Sequence, residues 1–360
     1  MNQIDLLVQR AANQKLSNSG FQRAVDVVRW FGAVQAQDFN AAKWALALRM
    51  SHATTSTAIE DAYNKGRILR THLLRPTWHF VAPDDIRWLL ELTAPRVNLR
   101  CGPNYRKLEL DGPTFKRSNR ILRNALQGGK HLTRVELKKA LGQSGVDAGD
   151  TIRMAHIMLR AELDGVVCSG RRIGKQFSYA LLDECVPVAK TLNRDEALVE
   201  LMRRYFNSHG PATLPDFIWW SGLTAADARR GVAQLDRHLQ KAVVDEKEFW
   251  HARTAAVPQR SAHSAHLLPV YDEYNVAYKD RQTALDLTDG KPAISAWDML
   301  GPTAMLNGTI VGTWKAAMDK KSVTIVVNAA RTLSKRERLA IAKAAERYAR
   351  FLSFTPDCLK

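Results

Sequence analysis

Two glutamines in the run Val34-Gln35-Ala36-Gln37-Asp38 are the side chains whose type and spacing most directly suggest chemistry. An amide takes up no proton at neutral pH. Its carbonyl accepts a hydrogen bond from water while its NH₂ donates elsewhere, so Gln35 and Gln37 together could orient a nucleophilic water and aim dipoles at a developing charge. Such a pair supplies orientation and electrostatics rather than general-base strength, and suits a substrate that is already activated. Side chains at i and i+2 share a face only in extended backbone, because on a helix they diverge by about 200°. The pair therefore predicts an extended or loop segment between helices. Asp38 then faces the other way and reads as the N-cap of the helix that follows. Glutamines near a turn are also ordinary surface residues, and the pair alone leaves both readings open.

Other side chains invite the same question. His72 and His79 fall on two strand-like runs joined at Arg75-Pro76, where either ring could meet a phosphate or line a pocket, or could pack beside Trp78. Arg171, Arg172 and Lys175 crowd a glycine-bounded hairpin tip, and three cations there suit phosphate contact, although charge runs are commonly just solvated. Trp44, Trp78 and Trp88 sit at apolar positions and read as core, with base stacking open to an exposed one. Asp272 and Glu273 are paired acids to which no catalysis is assigned. His251, His263 and His266 have no acidic or cysteine partners in sequence, so no metal site is expected. Cys101, Cys168, Cys185 and Cys358 contain no CxxC pair, and no disulfide framework follows. No GxGxxG, P-loop, GxSxG or HExxH motif occurs.

The elements that must position these residues belong to a chain of 360 residues, enough for two to four packed units. With 53 Lys and Arg against 36 Asp and Glu, the formal net charge is +17. Charge of that size favours polyanionic partners, through phosphate neutralisation and counterion release. No apolar run is long enough to span a bilayer and the first residues lack a signal-peptide core, so a cytoplasmic, nucleoid-associated location is expected.

The clearest local pattern runs from Leu132 to Leu182, where two helices precede two strand-like runs in the manner of a winged helix. Thr133 and Glu136 stand at capping-box spacing, with Val135, Leu137 and Leu141 expected on one buried face. The second helix, Asp150 to Asp164, would bury Ile152, His156, Leu159 and Leu163 and present Arg153 and Arg160 as a recognition helix. A similar order recurs on either side. The first unit has helices near 24–31, 41–49 and 57–65 and strands 68–74 and 77–82; the third has helices 196–207 and 225–240 and strands 242–244 and 248–251. Beyond about Ala255, short β-like runs end in a helix over 334–353, where Ser334 and Glu337 again have capping-box spacing. The expected fold is α+β, with winged helices over 1–105, 106–190 and 191–254 and a small β-barrel with a terminal helix over 255–360.

Four motifs in fixed order carry a resemblance to a known family. Gln35-Ala36-Gln37 resembles the QxQ motif of alkylpurine DNA glycosylases of the AlkZ/YcaQ type, and Arg75-Pro76-Thr77-Trp78-His79 its R-x-T-x-H wing strand. Leu267-Leu268-Pro269-Val270-Tyr271-Asp272-Glu273-Tyr274, with Tyr278-Lys279-Asp280-Arg281 after it, is similar to a third segment, and Gly308 to Trp314 to a fourth. The likeness extends from about Phe21 to Phe354. It implies three tandem winged helices and a C-terminal β-barrel forming a basic channel for duplex DNA. It also implies monofunctional excision of N7-alkylated purines, in some members with crosslink unhooking, without metal or organic cofactor; a monomer acting on duplex DNA is expected. On that reading Gln35 and Gln37 act on a water and an oxocarbenium-like sugar, while His72, Arg75, Trp78, His79, Arg171, Arg172 and Lys175 contact DNA or the lesion pocket. Other members place a carboxylate at the position of Gln37, which leaves the role of the adjacent Asp38 open. The alternative is a regulatory or structural DNA-binding protein that keeps the fold without excision.

Overall fold

The computed structural model describes residues 2–17, 20–186, 192–253, 264–288, 291–292, 294–319 and 322–356. His263, Cys358 and the expected boundaries at 190/191 and 254/255 lie outside the described residues. The chain divides into two compact units. The first comprises Met1–Glu60, Val199–Trp220 and Thr224–Lys360, and the second Asp61–Leu198 with Ser221–Leu223.

In the first unit, the helix Ala24–Phe31 buries Val27, Val28 and Phe31 and stops at Gly32, whose φ of +85° no β-carbon residue adopts cheaply. Extended chain follows, then the helix Phe39–Ala47. The helix Ala225–Gln234 is shorter than its apolar pattern suggests, because the strand Leu239–Val244 begins soon after it and pairs with Lys247–Ala252. Asp245 and Glu246 make that turn with φ of 47° and 63°, matching the twist of the two strands.

The C-terminal part of this unit corrects one expectation. Five strands, Ala265–Leu268, Thr303–Leu306, Thr309–Met318, Ser322–Ala329 and Thr355–Pro356, form an open sheet rather than a closed barrel among the described residues. Closure requires long tilted strands that can hydrogen-bond edge to edge, whereas the edge strands here span only four and two residues. The apolar face is covered instead by the helix Lys335–Phe351. Its Ile341, Ala344, Ala345 and Ala349 pack with Leu267, Val311, Trp314 and Ile325. The Ser334–Glu337 capping box opens that helix as the sequence indicated.

The second unit holds the hairpin Leu69–Leu73 and Thr77–Val81, in which His72 is opposite Trp78 and Thr71 opposite His79. A helix, Ile86–Lys107, follows. Then come the helix Gly112–Leu126, the strand Leu132–Thr133, the helices Arg134–Gln143 and Thr151–Leu163, and the strands Val167–Ser169 and Ser178–Leu181. These three strands form one sheet with Ser178–Leu181 in the middle.

Three details differ from the sequence pattern. Val135 is 72% exposed, because residues two apart on a helix cannot both face inward and Leu137 and Leu141 take the core. Ile152 is also exposed and His156 half-buried, whereas Leu159 and Leu163 are buried as expected, together with Met154, Ile157, Met158 and Ala161. The expected recognition arginines are held by the fold. Arg153 donates to the carbonyls of Leu108 and Asp147, and Arg160 pairs with Asp164 at 2.7 Å over the ring of Phe115.

Candidate functional site

The glutamine segment is anchored by its neighbours. Ala33, Val34 and Ala36 are buried, Gln35 is half-buried and Gln37 is exposed; the extended strand covers Val34–Gln35, and the chain bends at Gln37 and Asp38. Asp38 accepts from the Ala41 N–H at 2.9 Å and so N-caps the helix Phe39–Ala47. Lys43, the lysine of that helix, is buried and tied to Glu60 at 2.6 Å.

Behind the segment stands Glu273, which is 1% exposed. Its Oε1 accepts from the backbone N–H of Gln35 at 2.6 Å, while Oε2 accepts from Trp220 Nε1 at 3.0 Å and lies 3.3 Å from His209 Nε2. Donors engage both oxygens, so this carboxylate fixes the backbone at Gln35 and is not offered to a substrate. His209 lies against Tyr205, ring centroids 4.7 Å apart. Burial holds its imidazole below the ordinary value, with Glu273 partly opposing that shift.

Glu273 is in turn held by its own neighbour. Asp272 caps the short helix Glu273–Val276 through the Tyr274 N–H at 2.9 Å and receives both terminal nitrogens of Arg49, at 2.9 and 2.7 Å. Arg49 is 1% exposed. It also donates to Ala45 O and Gln14 Oε1, and its guanidinium lies 5.2 Å from the Phe31 ring. An ion pair therefore links the two chain segments that frame the glutamines. Asp272 and Glu273, assigned no catalysis from sequence, are the supports of the site; His209, Trp220 and Arg49 were not singled out.

In the second unit the hairpin candidates take several positions. His72 pairs with the buried carboxylate of Glu162 through both its ring and its backbone N–H, and its ring lies 4.0 Å from that of Trp78. Arg70 was not anticipated, yet its guanidinium stacks between Trp78 and Phe177 at 4.2 and 4.8 Å. A cavity of about 390 Å³ opens there, lined by Arg70, Trp78, Arg134, Lys175 and Phe177 among others and by no carboxylate. Arg171 and Lys175 are exposed, whereas Arg172 covers Phe177 at 4.7 Å and donates from its backbone to Asn64. Arg75 is half-buried at the hairpin turn, and His79 is fully buried with Nδ1 at 2.9 Å from Thr77 O. The structure thus places Trp78 and Lys175 in one cavity with Arg70 and sets His72 against Trp78, while Gln35 and Gln37 belong to the first unit.

No group of three or more potential metal ligands occurs among the described residues, and no described helix is long and apolar enough to cross a membrane.

These features meet in one family. The AlkZ-like DNA glycosylase family model matches residues 28–351, and the chain belongs to that family of enzymes, which hydrolyse N-glycosyl bonds. A curated relative, the interstrand DNA cross-link repair glycosylase of Streptomyces sahachiroi, is 22% identical over 327 residues, covering 84% of each chain. The solved structure of Streptomyces sahachiroi DNA glycosylase AlkZ has the same fold. It gives a TM-score of 0.80 at 19% identity over 100% of this chain and 99% of that one.

The Glu273 contact leads to a first expected outcome. Glu273→Gln keeps the size but weakens a charge-assisted hydrogen bond to the Gln35 backbone. The single-turnover excision rate should fall about tenfold with duplex affinity within about twofold. An unchanged rate would show that the carboxylate only packs the core.

Proposed function

We propose that this chain is a monofunctional glycosylase that excises cationic N7-alkylpurines from duplex DNA, with Gln35 and Gln37 as the residues that address the sugar and its water. The observation that carries this reading is the arrangement around them: the motif offers two neutral amides, Glu273 is buried with donors on both oxygens, and Asp38 gives one oxygen to the N-cap of the following helix. The acids nearest the amides thus have structural partners, which supports a reaction whose driving force comes from the leaving group. An N7-alkylated guanine does so. Its C1′–N9 bond breaks with the electron pair passing to the cationic ring, which departs neutral; water oxygen bonds to C1′ and its proton passes to solvent. The commitment of Lys43 to Glu60 supports water rather than an amine as the nucleophile.

Duplex DNA would be held by winged-helix units over 1–105, 106–190 and 191–254. The helix, strand, helix, helix and hairpin order of residues 112–181 supports the second of these. Arg75, Trp78, Arg171, Arg172 and Lys175 are the residues of this reading that would meet DNA or the lesion pocket, Trp78 and Lys175 from the cavity around Arg70, while His72, held by Glu162, and the fully buried His79 would serve only by supporting the hairpin. Action as a monomer is part of the same proposal, as is crosslink unhooking, which is supported by the name of the Streptomyces relative.

The test is base release. Purified protein incubated with duplexes carrying a single N7-methylguanine or a single uracil should free the methylated base at least about a hundredfold faster, because only the cationic base leaves as a neutral molecule without first being protonated. Comparable release of uracil would overturn the preference, and tight binding without release of either base would favour the non-catalytic reading.

A further inference from the structure

A second basic site lies in the first unit, in a cavity of about 400 Å³ between residues 50–55 and the C-terminal helix. Its lining includes His52, Lys343, Arg347 and Arg350, with hydroxyls from Ser51 and Thr54, and contains no carboxylate. The large cavity beside Arg10 differs, since there Lys247 and Lys279 are matched by Asp216, Glu248 and Asp280. Arg347 spends part of its guanidinium on the carbonyls of Ala47, Leu48 and Met50, at 2.8, 3.1 and 3.3 Å. Glu346 reaches Arg350 at 3.6 Å from outside the lining. Burial, and the nearby charge of Arg350, hold the Arg347 guanidinium below its ordinary value. Like charges gathered around a concavity repel, and an anion seated among them relieves that repulsion.

We propose that this cavity seats a backbone phosphate of the DNA, gripped by Lys343 and Arg350 with Arg347 behind them. The glutamine segment leads directly into the helix Phe39–Ala47, whose far end forms the cavity wall. Nine residues rise about 13 Å, so the phosphate lies roughly two to four nucleotides from the target base. That register, though not the site itself, rests on the assignment of Gln35 and Gln37. Contacts to phosphate set the position of a protein on the duplex without reading its sequence, and a fixed anchor of this kind would hold the damaged nucleotide before the amides.

The full-length Lys343→Gln/Arg350→Gln variant tests this against Lys335→Gln/Arg336→Gln, which removes the same charge from exposed positions on the same helix. Affinity for an undamaged duplex, measured across a salt series, makes the result independent of excision. The cavity variant should lower the slope of log K against log salt by about 0.9, and weaken binding about eightfold at 0.1 M salt, with the control losing less than half as much. A methylphosphonate placed two to four nucleotides from an N7-methylguanine should weaken wild-type binding at one position and leave the cavity variant unaffected there. Equal losses in both variants would mean bulk charge, and an unchanged slope would mean no phosphate contact; either overturns the proposal. Protection of the wild type by inorganic phosphate with an unchanged duplex slope would assign the cavity to free phosphate and also overturn it.

Discussion

Replacing both Gln35 and Gln37 with alanine should lower the single-turnover rate of N7-methylguanine release by about a thousandfold or more, while duplex affinity changes by less than about threefold. Preorganised dipoles of this kind contribute ~3–4 kcal/mol each where one has been removed, and residues acting on the same water lose their effects together rather than additively. Affinity should persist because neither amide carries charge and the electrostatic attraction of a +17 chain is untouched. Gln37 is exposed and Gln35 half-buried, so the variant should fold. Quantifying free 7-methylguanine from saturating protein, beside a binding isotherm on undamaged duplex, separates the two effects. A double variant that still releases the base within tenfold of the wild-type rate would remove the amides from the mechanism, and one that loses binding in parallel would make them DNA contacts.

The second large effect concerns stability. Asp272→Ala should destabilise the first unit by about 3–5 kcal/mol, because it strands the charge of a nearly inaccessible Arg49 in the interior. The measurement is the urea midpoint followed by tryptophan fluorescence. The companion variant Arg49→Met/Asp272→Asn removes both charges at similar volume and should lose much less, since the penalty of a buried ion pair falls mainly on the partner left behind. If the single and double variants shift the midpoint equally, the loss belongs to packing and not to the unpaired guanidinium. The consequence for catalysis is local: Asp272 opens the turn that places Glu273 under Gln35.

The resemblance to glycosylases was legible because four separated motifs kept their order. The supports of the glutamine segment were not legible in the same way. Glu273 meets Gln35 across 238 residues of chain, and nothing in the spacing of Asp272-Glu273-Tyr274 distinguishes a pair of structural anchors from a pair of catalytic acids. Arg70 looked like one more strand residue, yet folding sets it between Trp78 and Phe177, and the basic residues expected to be free were divided by the same packing. Arg171 and Lys175 stay exposed at the tip while Arg153 and Arg172 donate to backbone carbonyls.

Features written by the sequence alone are those whose partners lie within a turn of chain: the extended backbone at Gln35, the cap by Asp38, and the boxes at Thr133 and Ser334. Each is a contest between a residue and the backbone a few positions away, so residue type and spacing are enough to decide it. Which side chain of an apolar stripe is buried, whether the C-terminal strands close, and which carboxylate lies behind the glutamines depend on distant segments competing for the same volume and the same hydrogen bonds. Burial of a charge is tolerable only where its partner is already in place, and that condition is met by the tertiary fold.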